Sequence, residues 1–203
     1  MYSQYEEEKY ILEICHDATM RPSSGRFLDI GAWHPTDKSN TRALFELGWS
    51  GVMIEPSPGP MLNLLNEYAN EPRITLVQAA VRVEPGLMEL HVTDDAVSTA
   101  DRQQYETWAK VTKFRGTITV PALSVVDLFA HFGGDFEMVN IDTEGSSADV
   151  FKEMLRIGPR PRCVVVEHDS RFVELSQIAE AADYELVHEN GTNRVYRWKG
   201  TRE

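Results

Sequence analysis

Cysteine is scarce in this chain: Cys15 and Cys163 are the two among 203 residues. Two cysteines build no disulfide framework, and a reducing cytoplasm is the expected compartment. Cys163 opens the apolar run CVVVE and reads as a small buried hydrophobe. No apolar run approaches the roughly 20 residues that a membrane-spanning helix needs, so no membrane partner is expected. The opening stretch MYSQYEEEKY is acidic and polar, unlike a signal or transit peptide. Positive charge is also in deficit: 20 lysines and arginines face 32 aspartates and glutamates, a net charge of -12. Such a surface repels phosphate backbones, which argues against nucleic acid as a partner. The one dense basic stretch, RIGPRPR at 156–162, reads as a solvated loop. Missing too is a phosphate-cradling G-x-G-x-x-G turn. Internal repeats and low-complexity linkers are absent, so residues 1–203 are expected to form a single domain.

What remains alternates between two periodicities. Tyr10, Ile11, Ile14, Cys15 and Ala18 follow helical spacing and predict an amphipathic helix over about 3–19. RFLDI and GVMIEP read as buried strands, separated by the helix TRALFELG, which Gly48 stops. PMLNLLNEYA predicts a helix with Met61, Leu62, Leu65 and Tyr68 on one face, and ITLVQAAV a third strand. LMELHVT, after the turn signal EPG, adds a strand in a hairpin-like excursion. Residues 94–115 are polar and irregular, with Tyr105 and Trp108 among them, and are expected to form an acceptor-binding lid whose Ser98 and Thr99 border the site. TITVPALS is extended and leads to the helix VVDLFAHF; then FEMVNID, SADVFKEMLRIG, RCVVVEH and FVELSQIAEAA alternate strand and helix. YELVHE and NRVYRW flank Asn190-Gly191, a strong hairpin signal. The pattern implies an α/β fold: a mostly parallel sheet with helices on both faces and a C-terminal antiparallel hairpin.

Ligands of such sheets bind beyond the carboxyl ends of the strands. Those positions carry Asp29 and Gly31, Glu55, Gln78 to Ala80, Asp142 and Glu144, and Glu167 and His168. Gly31 suits a turn that a ligand approaches closely. Asp29 caps that turn or meets a cationic ligand. Glu55, at the second strand end, suits the ribose hydroxyls of an adenosine cofactor, because a carboxylate accepts from both. Each acid alone would read as a solvated strand-end residue; their joint spacing favours the cofactor.

Several blocks, in order, resemble the FkbM-type S-adenosylmethionine (SAM)-dependent methyltransferases. They are Asp29-Ile30-Gly31-Ala32, Ser39-Asn40-Thr41, Gly48-Trp49-Ser50-Gly51, Glu55-Pro56-Ser57-Pro58, Ile141-Asp142-Thr143-Glu144-Gly145 and Glu167-His168. The resemblance runs from about Phe27 to His168. It implies a Rossmann-like class I methyltransferase sheet and SAM as cofactor. By this likeness Asp29, Gly31, Ala32, His34 and Pro56 border the cofactor, and Ser39 and Thr41 hold its carboxylate. Glu55 takes the ribose, Gln78, Ala79 and Ala80 flank the adenine, and Asp142 closes the site. SAM has no phosphate, so the missing glycine loop is consistent with it. Trp33 and His34 stand where small or amide residues are common in the family.

The reacting side is expected from Asp142, Glu144, Glu167 and His168. Methyl transfer to a hydroxyl needs close approach of the oxygen and removal of its proton. Among these residues the imidazole of His168 is the expected base, the alternative being a hydrogen-bonded strand-end histidine. The three acids also suit a divalent cation, but no metal ligand is assigned from the sequence. Ser146 or Ser147 can cap the following helix. The expected activity is O-methylation of a small-molecule or glycan acceptor, on a sugar or a polyketide-like hydroxyl. The rival readings are a nicotinamide-dependent oxidoreductase and a non-catalytic cofactor-binding subunit.

Overall fold

The computed structural model describes residues 1–15, 25–93, 98–100, 105–106 and 109–200. Helix α1 spans Glu7–Ile14, and its continuation to residue 19 lies outside the described residues. The chain continues with strand β1 (Arg26–Ile30), α2 (Arg42–Glu46), β2 (Ser50–Ile54), α3 (Pro58–Tyr68) and β3 (Ile74–Val77). Strands β4 (Ala80–Arg82), β5 (Gly86–Thr93) and β6 (Phe114–Ser124) come next. The second half runs α4 (Val125–Phe132), β7 (Met138–Ile141), α5 (Ser147–Ile157), β8 (Cys163–Glu167), α6 (Phe172–Ala181), β9 (Tyr184–Glu189) and β10 (Asn193–Trp198).

Seven strands form one sheet in the order β3-β2-β1-β7-β8-β10-β9. The five from β3 to β8 are parallel, and β10 runs antiparallel to both β8 and β9. Both faces are covered, which explains the unbroken apolar runs. Leu28, Ile30, Val139, Ile141, Val164 and Val166 face one core with Phe151, Met154 and Leu175. Their neighbours Phe27, Met138, Cys163 and Val165 face the other, with Ile11, Leu44, Trp49 and Leu64. This is the two-residue alternation of a strand, with apolar side chains on both sides. Both cysteines are free and buried.

Two expectations need correcting. Helix α3 buries Pro60, Met61, Leu64 and Tyr68, whereas Leu62 and Leu65 are exposed. The inward stripe steps from Met61 by three and then four residues, which leaves Leu65 at its edge. The predicted third strand is two strands. After Val77 the chain leaves the main sheet, and β4 pairs parallel with β6, which pairs antiparallel with β5. Together they make a separate three-stranded sheet in the order β4-β6-β5. Its small core holds Ala80, Leu90, Val120 and Ala122.

The C-terminal hairpin forms as the sequence indicates. Asn190 Oδ1 accepts from the amides of Thr192 and Asn193 at 2.9 and 2.8 Å and closes the turn. The arginines of the RIGPRPR stretch are satisfied locally: Arg156 pairs with Glu153, Arg162 with Glu137, and Arg160 donates to the Leu155 carbonyl. Among the described residues, no helix is long and apolar enough to cross a membrane.

Candidate active site

From β1 the chain winds outward through β2 and β3, then returns to place β7 and β8 on the other flank of β1. The order reverses between β1 and β7, and loops leaving such a switch point diverge and open a crevice. A cavity of about 1070 Å³ lies there, between the loops that follow β1, β2, β7 and β8 and the second sheet.

The β1 loop is built around Gly31. Its φ of 80° is left-handed, and a Cβ there would lie 1.8 Å from the Asp142 carbonyl oxygen at the end of β7. Gly31 is therefore needed by the protein's own packing as well as by a ligand. Gly31→Ala is expected to destabilise the fold by at least about 2 kcal/mol, summing left-handed strain and overpacking. Chemical denaturation against wild type measures this.

Asp29 is buried within the scaffold. Its carboxylate accepts from the Thr41 hydroxyl at 2.6 Å and from the Asn140 amide at 2.9 Å. Asn40 donates to Asn140 Oδ1 at 3.0 Å. This chain ties the loop before α2 to β1 and β7. Neither bond to Asp29 comes from a backbone amide of the turn at Gly31, and Asp29 also lines the cavity. Burial raises its pKa against the two hydrogen bonds.

Glu55 is 5% exposed at the end of β2. Its two oxygens accept from the Ser57 amide at 2.7 Å and the Trp33 amide at 3.1 Å. Burial outweighs these bonds and pushes its pKa up to about 7. Each oxygen keeps a lone pair for a further donor. Ala32, Ser39, Pro56, Ala79 and Ala80 line the same side of the cavity.

Three residues expected there are placed elsewhere. Thr41 is fully buried and spends its hydroxyl on Asp29. His34 turns its Nδ1 to the amides of Thr36 and Asp37, at 3.3 and 2.9 Å, and does not line the cavity. Gln78 is exposed and off the lining, because the chain crosses there from β3 to the second sheet.

The opposite wall brings Asp142, Glu144, Glu167 and His168 together, with Asp169 beside them. One oxygen from each of Asp142, Glu144 and Glu167 lies within 4.8 Å of the others. Burial is the first cause that raises all three pKa values: Asp142 to about 6, Glu144 to about 9, and Glu167 well above its ordinary value. The charges of Asp142 and Asp169 add to the rise of Glu144 and Glu167, whereas at Asp142 a hydrogen bond from Glu167 opposes burial and the charges of Asp169 and Asp29. His168 is 7% exposed. Its Nδ1 accepts from the Ser170 amide at 3.1 Å, and its buried Nε2 has no partner among the described residues. An Nδ1 that accepts an amide hydrogen carries no proton, so the proton of the neutral ring sits on Nε2.

Strain concentrates at this crevice. Six described residues other than glycine have positive φ, and five of them, Trp33, Lys38, Glu144, Asp169 and Ser170, line the cavity. Such conformations persist where surrounding contacts impose them, often at functional sites.

Other lining residues had no signal in the sequence. Gln4 reaches the cavity because Glu7 anchors the N-terminal segment to the hairpin. Glu7 Oε1 accepts from Asn190 and Asn193 at 2.7 and 2.8 Å, and Oε2 from the Tyr5 amide at 2.9 Å. Leu87 to Leu90 contribute from β5. Of the expected lid, 94–97, 101–104 and 107–108, Trp108 among them, lie outside the described residues. Ser98 lines the cavity, and the Thr99 hydroxyl donates to the Glu144 carbonyl at 3.1 Å. Tyr105 packs on His91 and Phe114, with ring centroids 4.2 and 4.6 Å away.

A seven-stranded sheet in this order, ending in an antiparallel hairpin and opening an acid-lined crevice at its switch point, has the architecture of a Rossmann-like class I methyltransferase. The chain belongs to the FkbM family of SAM-dependent methyltransferases: the methyltransferase FkbM domain profile matches residues 29–189. Solved structures of the same fold include methyltransferase FkbM from Methylobacillus flagellatus KT, at 14% identity and a TM-score of 0.55, covering 87% of this chain and 44% of that one. Monomeric WbdD matches at 11% identity and a TM-score of 0.55, over 97% of this chain and 41% of that one. The methyltransferase PaMTH1 of Podospora anserina, solved with S-adenosylhomocysteine (SAH), matches at 12% identity and a TM-score of 0.52, over 98% and 80%. This chain thus spans less than half the length of the first two proteins. A search of the curated proteins finds no match.

Proposed function

We propose that this chain binds SAM on the β1–β2 side of the crevice and transfers its methyl group to a hydroxyl oxygen held on the β7–β8 side. The observation that carries this reading is the opposition of Glu55 to the Asp142–Glu144–Glu167–His168 wall across one cavity. Glu55 accepts from both ribose hydroxyls with its remaining lone pairs, while Gly31 and Ala32 pass close to the methionine portion. Ser39 faces the carboxylate of the cofactor. The SAH bound to PaMTH1 supports a sulfur nucleoside as the ligand of this fold.

The sulfonium carbon–sulfur bond breaks as the oxygen–methyl bond forms, SAH leaves, and the hydroxyl proton passes to Asp142, which with a pKa of about 6 is the acid of this wall left ionised at neutral pH. His168 serves as a hydrogen-bond donor in place of the base the sequence suggested. Its Nδ1 lone pair is committed to Ser170, which leaves Nε2–H to donate to the acceptor oxygen. The acceptor is a small molecule or a glycan rich in hydroxyls. Gln4, Glu89, Ser98 and Thr192 offer polar groups around the space for it. The acidic wall and the net charge of -12 disfavour a nucleic acid.

The test is mass spectrometry of the full chain incubated with SAM and a panel of glycans, polyketide-like alcohols and nucleosides. The expected product is a methyl ether together with stoichiometric SAH. Methyl transfer to nitrogen or carbon acceptors alone would overturn the oxygen assignment. Firm SAH binding with no transfer to any acceptor would favour a cofactor-binding subunit.

A further inference from the structure

We propose that Asp142, Glu144 and Glu167 hold one divalent cation of oxygen-preferring character, magnesium or manganese, with one carboxylate oxygen from each. As a binding site this stands on the geometry below. As a participant in the reaction it rests on the methyl transfer proposed above.

Two loops create the site. Asp142 and Glu144 leave the end of β7, and Glu167 ends the adjacent strand β8. Their oxygens lie within 4.8 Å of one another. Oxygens on opposite sides of one magnesium ion are about 4.2 Å apart, and of one calcium ion about 5 Å. The three therefore span the space around a single ion, with only slight side-chain contraction for the smaller one. The charges acting on Glu144 and Glu167 come from Asp142 and Asp169, with Glu55 added at Glu144, and those acting on Asp142 come from Asp169 and Asp29, all of one sign; a proton shared between Glu167 and Asp142 relieves part of this, and a cation would take its place. Half-buried carboxylates gathered without a cation repel one another, and a divalent ion removes that cost.

His168 points independently to a ligand. It follows Glu167 in the chain, lines the same cavity, and is more than nine-tenths buried. With Nδ1 committed to Ser170, its buried Nε2–H meets no acceptor among the described residues. A buried donor without a partner is costly unless a ligand supplies an oxygen. It cannot itself coordinate while Nε2 is protonated, so the ligand set is all oxygen, which selects hard cations. Three protein oxygens leave positions on the ion for water or an acceptor hydroxyl, in the cavity that His168 also lines. The second oxygen of each carboxylate remains to accept a proton.

Calorimetric titration of the full chain with magnesium chloride and with manganese chloride, each alone, tests the site. A separate SAH titration reports the cofactor side. One-site binding of either cation is expected, weakened more than about tenfold in Glu144→Gln and in Glu167→Gln. It should be unchanged in Asp149→Asn, whose carboxylate pairs with Arg171 on the surface. Both glutamines keep the shape of the side chain, and thermal melts check that each variant folds. Either one, if folded, decides the assignment. No heat up to millimolar cation, or binding that survives both substitutions, would overturn the site. SAH binding without cation binding would defeat this inference alone, and cation binding without SAH binding would defeat the proposed cofactor reading alone.

Discussion

His168→Ala is expected to lower methyl transfer by about 10²- to 10³-fold, the effect of removing one preorganised donor from a developing transition state. SAH affinity should stay near that of wild type, since His168 lies across the crevice from Glu55 and Gly31. Loss of activity alone would suit a base equally well. His168→Gln separates the two roles. A glutamine amide can donate from nearly the position of Nε2 but cannot take up a proton at neutral pH. Activity recovering at least tenfold over the alanine variant supports the donor. Equal loss in both variants, with folding intact, would return His168 to the role of base. The distinction rests on the Ser170 amide at 3.1 Å from Nδ1, which fixes the tautomer.

Glu55→Ala is expected to weaken SAH binding by about 1.5–3 kcal/mol, or roughly 10- to 150-fold, the scale of hydrogen bonds to a charged group. The same residue makes binding depend on pH. Glu55 free of ligand titrates at about 7, and ribose hydroxyls donating to it favour the ionised form. Affinity should therefore be full above that pH and fall by up to about tenfold per unit below it. Stability of the free protein runs the other way. The folded pKa is raised, so the contribution of Glu55 is fully present below the ordinary value of 4.5 and is lost as pH rises through about 7. That shift corresponds to about 3 kcal/mol. Comparing denaturation of wild type and Glu55→Gln across this window isolates it from the other raised acids. A variant whose pH dependence matches wild type in both binding and stability would show that Glu55 stays ionised in the free protein.

Much of this architecture was legible because the sheet is buried on both faces. GVMI and CVVV are apolar without interruption, and RFLDI is broken inside the run only at Asp29, the pattern of strands buried on both faces. The strand-end acids were equally visible, since hydrophobicity stops at each of them. What the residues alone did not disclose was how polar side chains are shared out between scaffold and cavity. Thr41 and Ser39 are two positions apart, yet one serves Asp29 while the other lines the crevice. That division follows from Asp29 and Asn140 lying side by side on β1 and β7, a pairing across 111 positions. The second sheet was hidden for a similar reason. Strands β5 and β6 are joined by a long segment with no tight-turn signal, and β4 continues a run that reads as one strand. The role of Gly31 was half visible: its turn was clear, but its contact with the Asp142 carbonyl is a tertiary fact. The tautomer of His168 needed the position of a backbone amide two residues away.

The central claim is that the crevice at the β1–β7 switch point is a SAM site. Calorimetric titration of the full chain with SAH at about pH 8, where Glu55 is ionised, tests it most directly, with NADH titrated in parallel. One-site SAH binding is expected, weakened in Glu55→Ala, with no heat from NADH. Binding of NADH with no response to SAH or SAM would contradict the account.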